Sequence, residues 1–109
     1  MYGFATTTPS FFDEFTPLAG NLVKINVNGE NRLPYDLNYT IEFKDASFIT
    51  LDTIVSTSPL LANSQFAINE QKNVVANVAI IVVVFDSPSL SGDLIGFSVD
   101  DYTFKEYDV

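Results

Sequence analysis

The side chains in this chain able to do chemistry are carboxylates. Fourteen acidic residues stand against five basic ones, for a formal charge of −9, and Asp86, Asp93, Asp100 and Asp101 gather around the last two loops of the sequence. There is no histidine and no cysteine. Those two zeros remove the commonest general base, the commonest zinc ligand, thiol nucleophiles and disulfides together. Carboxylate oxygens suit Ca²⁺. An ion held by loops at one end of the fold is therefore weighed against the blander reading, solvated charge that confers solubility. Asn26, Asn28 and Glu30 alternate as in part of an EF-hand loop, but the downstream glutamate that such a loop needs is missing.

The remaining enzyme chemistries find little to work with. A glycosidase needs two acids at a set separation beside a sugar cleft, and the chain has no tryptophan to build a stacking platform. A serine nucleophile needs an activating base, and neither a histidine nor a Ser-x-x-Lys is present. The segment Gly92-Asp93-Leu94-Ile95-Gly96 precedes a strand and lacks the Lys-Ser/Thr ending of a phosphate loop. A non-enzymatic protein without a cofactor is expected. Tyr35, Tyr39, Tyr102 and Tyr107 are rings on which a sugar could stack. The acidic charge repels phosphate backbones and anionic lipid, so neither nucleic acid nor membrane is expected as a partner. The longest apolar run falls far short of the roughly 20 residues of a spanning helix, and the first residues lack the basic and hydrophobic segments of an export signal.

The element that must organise the rest is Asn73 to Asp86. From Val78 to Phe85 every residue is apolar and most are β-branched, which predicts a central strand buried on both faces. No crossover helices are available to cover a second face. Loops and the N-terminal arm, or a neighbouring chain, must do so, and Phe85 with the odd-numbered residues before it is the first place to seek that cover.

Around this stretch the chain reads as short strands and turns. Leu22 to Val27 alternates, with Val23, Ile25 and Val27 on one side, and Asn28-Gly29 carries the strongest hairpin-turn signal. Pro34 makes Glu30 to Tyr35 a loop or edge. Leu37, Tyr39, Ile41 and Phe43 form one face of the next strand, Lys44 to Ser47 a turn, and Ile49, Leu51, Thr53 and Val55 one face of the strand after it. Ser56 to Asn63 is a loop whose Leu60 and Leu61 plug the end of the fold. Phe66 and Ile68 point inward from Ser64 to Asn69, and Glu70 to Asn73 is a polar turn. Asp86 to Asp93 is a loop, Leu94 to Val99 a strand with a bulge or close approach at Gly96, and Tyr102 to Tyr107 a last strand beyond a break at Asp100-Asp101. About seven or eight short strands with no long helix predict an all-β, two-sheet antiparallel β-sandwich of jelly-roll or immunoglobulin-like topology.

Residues 1–20 differ in composition and read as an aromatic arm, with the sandwich domain spanning 21–109. Ser10 followed by Asp13 and Glu14 resembles a helix start that places Phe11 and Phe15 on one face, and Pro17 ends it. Tyr2, Phe4, Phe11, Phe12 and Phe15 either cap one end of the core or dock on a neighbouring subunit, since so many rings are costly to leave in water. Together with Phe85 they form the expected partner-binding set.

Gly20-Asn21-Leu22-Val23-Lys24-Ile25-Asn26-Val27, Tyr39-Thr40-Ile41-Glu42-Phe43-Lys44-Asp45, Ser58-Pro59-Leu60-Leu61 followed by Phe66, Val82 to Phe85, Ser87-Pro88-Ser89-Leu90-Ser91-Gly92-Asp93-Leu94-Ile95 and Phe97-Ser98-Val99 follow one another in an order similar to that of a cohesin domain. The resemblance covers roughly residues 20–99. It implies a related sandwich topology and a role in protein contact, and no binding residues are carried over from it. Two settings follow for a domain of this kind, whose partners are other protein subunits in an oligomeric assembly. One is a subunit or decoration protein of a virus or bacteriophage particle, hence located in the virion. The other is an extracellular or cell-surface cohesin-like adhesion module, with a carbohydrate-binding module as a further alternative.

Overall fold

The computed structural model describes residues 10–86, with only the backbone of Asp86, and 97–108. Seven strands are present among them: β1 (Ser10–Glu14), β2 (Leu22–Asn31), β3 (Asn38–Lys44), β4 (Thr50–Val55), β5 (Ser64–Asn73), β6 (Ile80–Asp86) and β7 (Phe97–Tyr107). They form a four-stranded sheet in the order β1-β6-β3-β4 and a three-stranded sheet in the order β5-β2-β7, with every neighbouring pair antiparallel. Only β3 and β4 follow one another within a sheet. Every other connection passes from one sheet to the other, so the fold is the expected two-sheet antiparallel β-sandwich.

Period-two alternation builds the core. Val23, Ile25 and Val27 face inward from β2, Tyr39, Ile41 and Phe43 from β3, and Ile81, Val83 and Phe85 from β6, all buried. Each such side chain contributes on the order of 1.5–3 kcal/mol of burial. Polar contacts close the two open edges. On one side the Tyr39 hydroxyl donates to Glu70 and Lys72 lies 3.6 Å from Asp52. On the other, the Tyr102 hydroxyl donates to Asp13 at 2.8 Å, joining β7 to β1. Burial foremost, and then the bond to Glu70, pushes the Tyr39 phenol well above its ordinary range. Among the described residues, Asn31 is the one fully buried polar side chain in the core. Its amide group donates to the carbonyls of Tyr35, Leu60 and Leu61, and its oxygen accepts from the Leu33 amide at 3.0 Å, which fastens the loop from which Leu60 plugs the end of the fold. Leu61 is exposed and plugs nothing.

Several expectations are corrected. Asn28-Gly29 is no turn, because β2 runs straight through it. A Cβ at Gly29 would meet the Ser98 carbonyl oxygen at 2.2 Å and Phe66 Cζ at 2.6 Å, so the glycine serves close approach within the sheet. Glu70 to Asn73 is the end of β5, paired with β2 up to Leu22, and the long central strand shortens to Ile80–Asp86. Asp100-Asp101 does not end the last strand but forms a bulge opposite Asn28 and Gly29, which keeps both Val99 and Tyr102 on the inner side of β7. Ser10 begins a strand, not a helix. The shared face of Phe11 and Phe15 survives because four residues apart is one face in either geometry. Since β1 is an integral edge strand, the sandwich begins by Ser10, not at residue 21. The expected loop at residues 87–93 and the reading of Gly96 lie outside the described residues.

Candidate functional site: the outer face of the four-stranded sheet

The odd-numbered residues of β6 fill the core, so its second apolar face consists of Ile80, Val82 and Val84. This reverses the expectation for Phe85 and its odd-numbered neighbours. Among the described residues no sheet lies over the even-numbered row, yet Val82 is only 5% exposed. Phe12 of β1 stands opposite it in register, and Glu42 of β3 stands opposite on the other side. The Phe12 ring meets Phe48 edge to face, with centroids 5.8 Å apart.

Phe48 is placed by the turn between β3 and β4. The Asp45 carboxylate accepts the amides of Ser47 and Ile49 at 2.9 and 3.0 Å, its backbone N–H donates to the Ile49 carbonyl, and its carbonyl accepts from the Phe48 amide. Closing this turn requires a left-handed residue, a position that glycine normally takes. Here Phe48 occupies it with φ of 67°, at a cost of roughly 1–2 kcal/mol. Lys44 pins the ring from below, its ammonium 4.8 Å from the Phe48 centroid and 3.2 Å from Glu42.

Further apolar side chains are exposed beyond the polar outward row of β3, which is Thr40, Glu42 and Lys44. Phe12 is 58% exposed, Phe48 48%, and Ile49, Leu51 and Val55 are exposed along β4 and the turn that leads into it. The face of β4 expected from Ile49, Leu51, Thr53 and Val55 exists but looks outward, and Ile54 is the partly buried residue packed against the core. Alternation marks two faces without saying which one is buried.

The expected partner-binding residues are distributed unevenly. Phe11 packs against Phe85 and Tyr102, with centroids at 6.2 and 4.7 Å, and Phe15 meets Phe104 edge-on, so both rings cap the edge between the sheets. Phe85 is 2% exposed and clusters with Phe66 and Phe97. Phe12 remains on the surface, while Tyr2 and Phe4 lie outside the described residues. Sequence reading missed Phe48. Its signal was a large ring following Asp45-Ala46-Ser47 where a turn calls for glycine.

The acidic residues do not assemble a site among the described residues. The Asp101 carboxylate accepts from Asn28 at 2.8 Å beside the β7 bulge, and no three acidic side chains there approach as a cation would require. Asp93 and the side chain of Asp86 lie outside what is described. A groove of about 610 Å³ runs between β1 and β7, lined by Phe11, Phe85, Phe97, Val99 and Tyr102. Its rim residues Ser10 and Phe97 are the points where undescribed residues join the strands. Comparison with known proteins finds no family model, no curated protein and no solved structure that matches the chain.

Proposed function

We propose that the protein is a non-enzymatic structural subunit that packs the outer face of its four-stranded sheet against another subunit, its own copies first, in an assembly such as a virus or bacteriophage particle. One observation carries this reading: Phe48 is held in a left-handed conformation that glycine would adopt at lower cost, and its ring lies beside exposed Phe12 on the outer face of the sheet. Docking removes those rings, together with Leu51 and Val55, from water. The fully desolvated centre of such an interface supplies most of its affinity. The charge of −9 on each copy opposes association, so salt strengthens the contact by screening.

Sedimentation at rising protein and salt concentration tests the proposal. Species heavier than the 12.0 kDa chain are expected, and Phe12→Asp should weaken association by about tenfold or more. Removing residues 1–16 would strip β1 from the sheet, whereas removing residues 1–9 leaves β1 in place and asks separately about Tyr2 and Phe4. A chain that stays monomeric at every concentration and salt, or one whose association ignores Phe12→Asp, overturns the proposal.

A further inference from the structure

The outer face of the three-stranded sheet presents a different chemistry. Along its outward positions β2 contributes Lys24 and Asn26, β5 contributes Asn69 and Gln71, and β7 contributes Lys105 and Tyr107. Lys24 and Lys105 stand directly opposite one another in register. Their ammonium groups lie 5.1 and 5.4 Å from the centroid of the same Tyr107 ring. The other three cations of the chain, Arg32, Lys44 and Lys72, each sit beside a carboxylate. Among the described residues, Lys24 and Lys105 have no such partner.

Like charges directly opposite in a sheet repel. In a chain with fourteen acidic residues, the two cations that have no carboxylate partner among the described residues are also the two placed together. They form a local positive patch on an acidic protein, and the groove beside them measures about 430 Å³, lined by Lys24, Asn26, Asn69, Gln71 and Tyr107. Glu70 also lines it, but its carboxylate accepts the Tyr39 hydroxyl. Each primary amide offers two donors and an acceptor, the complement of neighbouring hydroxyls on a sugar ring. The half-exposed Tyr107 ring offers an apolar face and a polar tip. A shallow groove along strands suits an extended polymer.

We infer that this groove binds an acidic glycan, with Lys24 and Lys105 on its anionic group, Asn26, Asn69 and Gln71 on its hydroxyls, and Tyr107 against the ring carbons. The site lies on the sheet opposite Phe12 and Phe48 and does not depend on the association proposed for that face.

Isothermal titration of the full chain with polygalacturonate, dextran sulfate and neutral dextran, at low and raised salt, tests this. The two acidic polymers distinguish a carboxylate from a sulfate preference. Binding to at least one of them and none to dextran is expected. Lys24→Gln with Lys105→Gln should cost about tenfold or more and flatten the salt dependence. Asn69→Ala with Gln71→Ala should cost about threefold or more while leaving the salt dependence in place. Circular dichroism checks that each variant is folded. The inference is overturned if neither acidic polymer binds, if dextran binds equally, or if binding survives loss of the lysines. Insensitivity to the amide changes also overturns it, since the lysines would then be serving any anion, including an acidic protein.

Discussion

Asn26 and Val82 occupy the same kind of position. Each lies on an interior strand of its sheet and points away from the core, Asn26 between Asn69 and Thr103, Val82 between Phe12 and Glu42. An antiparallel sandwich is expected to keep a solvated polar face on each sheet, and β2 does so with Lys24, Asn26, Asn28 and Glu30. β6 does not, because Ile80, Val82 and Val84 follow one another outward. The fold requires the inner faces to be alike and leaves the outer ones free. The divergence of the outer faces is therefore not dictated by the core they share.

The sharpest way to break that contrast is to place one charge at each position. Val82→Asp should cost about 3 kcal/mol or more, because the carboxylate would enter the cover of Phe12 beside Glu42. Asn26→Asp should stay within about 0.5 kcal/mol at its wetter site. Urea denaturation measures both, and equal effects would mean that the two faces are not different environments. A second comparison lies within β2 itself. Gly29→Ala forces a methyl against the Ser98 carbonyl oxygen and should cost about 2–3 kcal/mol. Asn28→Ala, which loses only an exposed bond to Asp101, should cost about 0.5 kcal/mol. If the two alanines prove equivalent, the close approach at Gly29 is wrong.

Phe48→Gly separates fold from use on the outer face of the four-stranded sheet. Relief of the left-handed conformation should raise the denaturation midpoint by up to about 1 kcal/mol of stability, while self-association weakens. A clear loss of stability would instead make the ring a structural cover for Val82. The smallest effect is expected at Glu106, which accepts the Leu18 amide and the Asn21 side chain, both at 2.8 Å. The backbone bond from Leu18 foremost, and then the bond from Asn21, holds its carboxyl below the ordinary carboxylate range. Its contribution is therefore present above that range and is lost as pH falls through the lowered value. The Leu18 amide resonance should follow that titration, and Glu106→Gln should remove the pH dependence.

Much of this architecture was legible from period-two patterns. The inward faces of β2 and β3 and the burial of Phe66, Ile68 and Leu60 followed from alternation and loop composition alone. Three of the errors share one cause. Asn28-Gly29, Glu70 to Asn73 and Asp100-Asp101 each have a local turn signature, and in each the pairing of β2 with β5 and β7 keeps the backbone extended. Local propensity is worth tenths of a kcal/mol per residue, and a continuous ladder on a packed sheet exceeds it. Phe48 escaped notice for the converse reason. It follows the expected turn of Lys44 to Ser47 and reads locally as the opening of the next strand, but that strand begins only at Thr50.

The run from Val78 to Phe85 shows where the division falls. Its amino acids alone determined that a strand lies there and that apolar side chains project from both sides of it, because β-branched residues in unbroken series pack well in no other element of that length. Only the tertiary structure decided which side became core. Period two is symmetric, and the choice belongs to β1, β3 and the sheet opposite. Their packing turned Ile81, Val83 and Phe85 inward and left Val82 on the outer side, between Phe12 and Glu42.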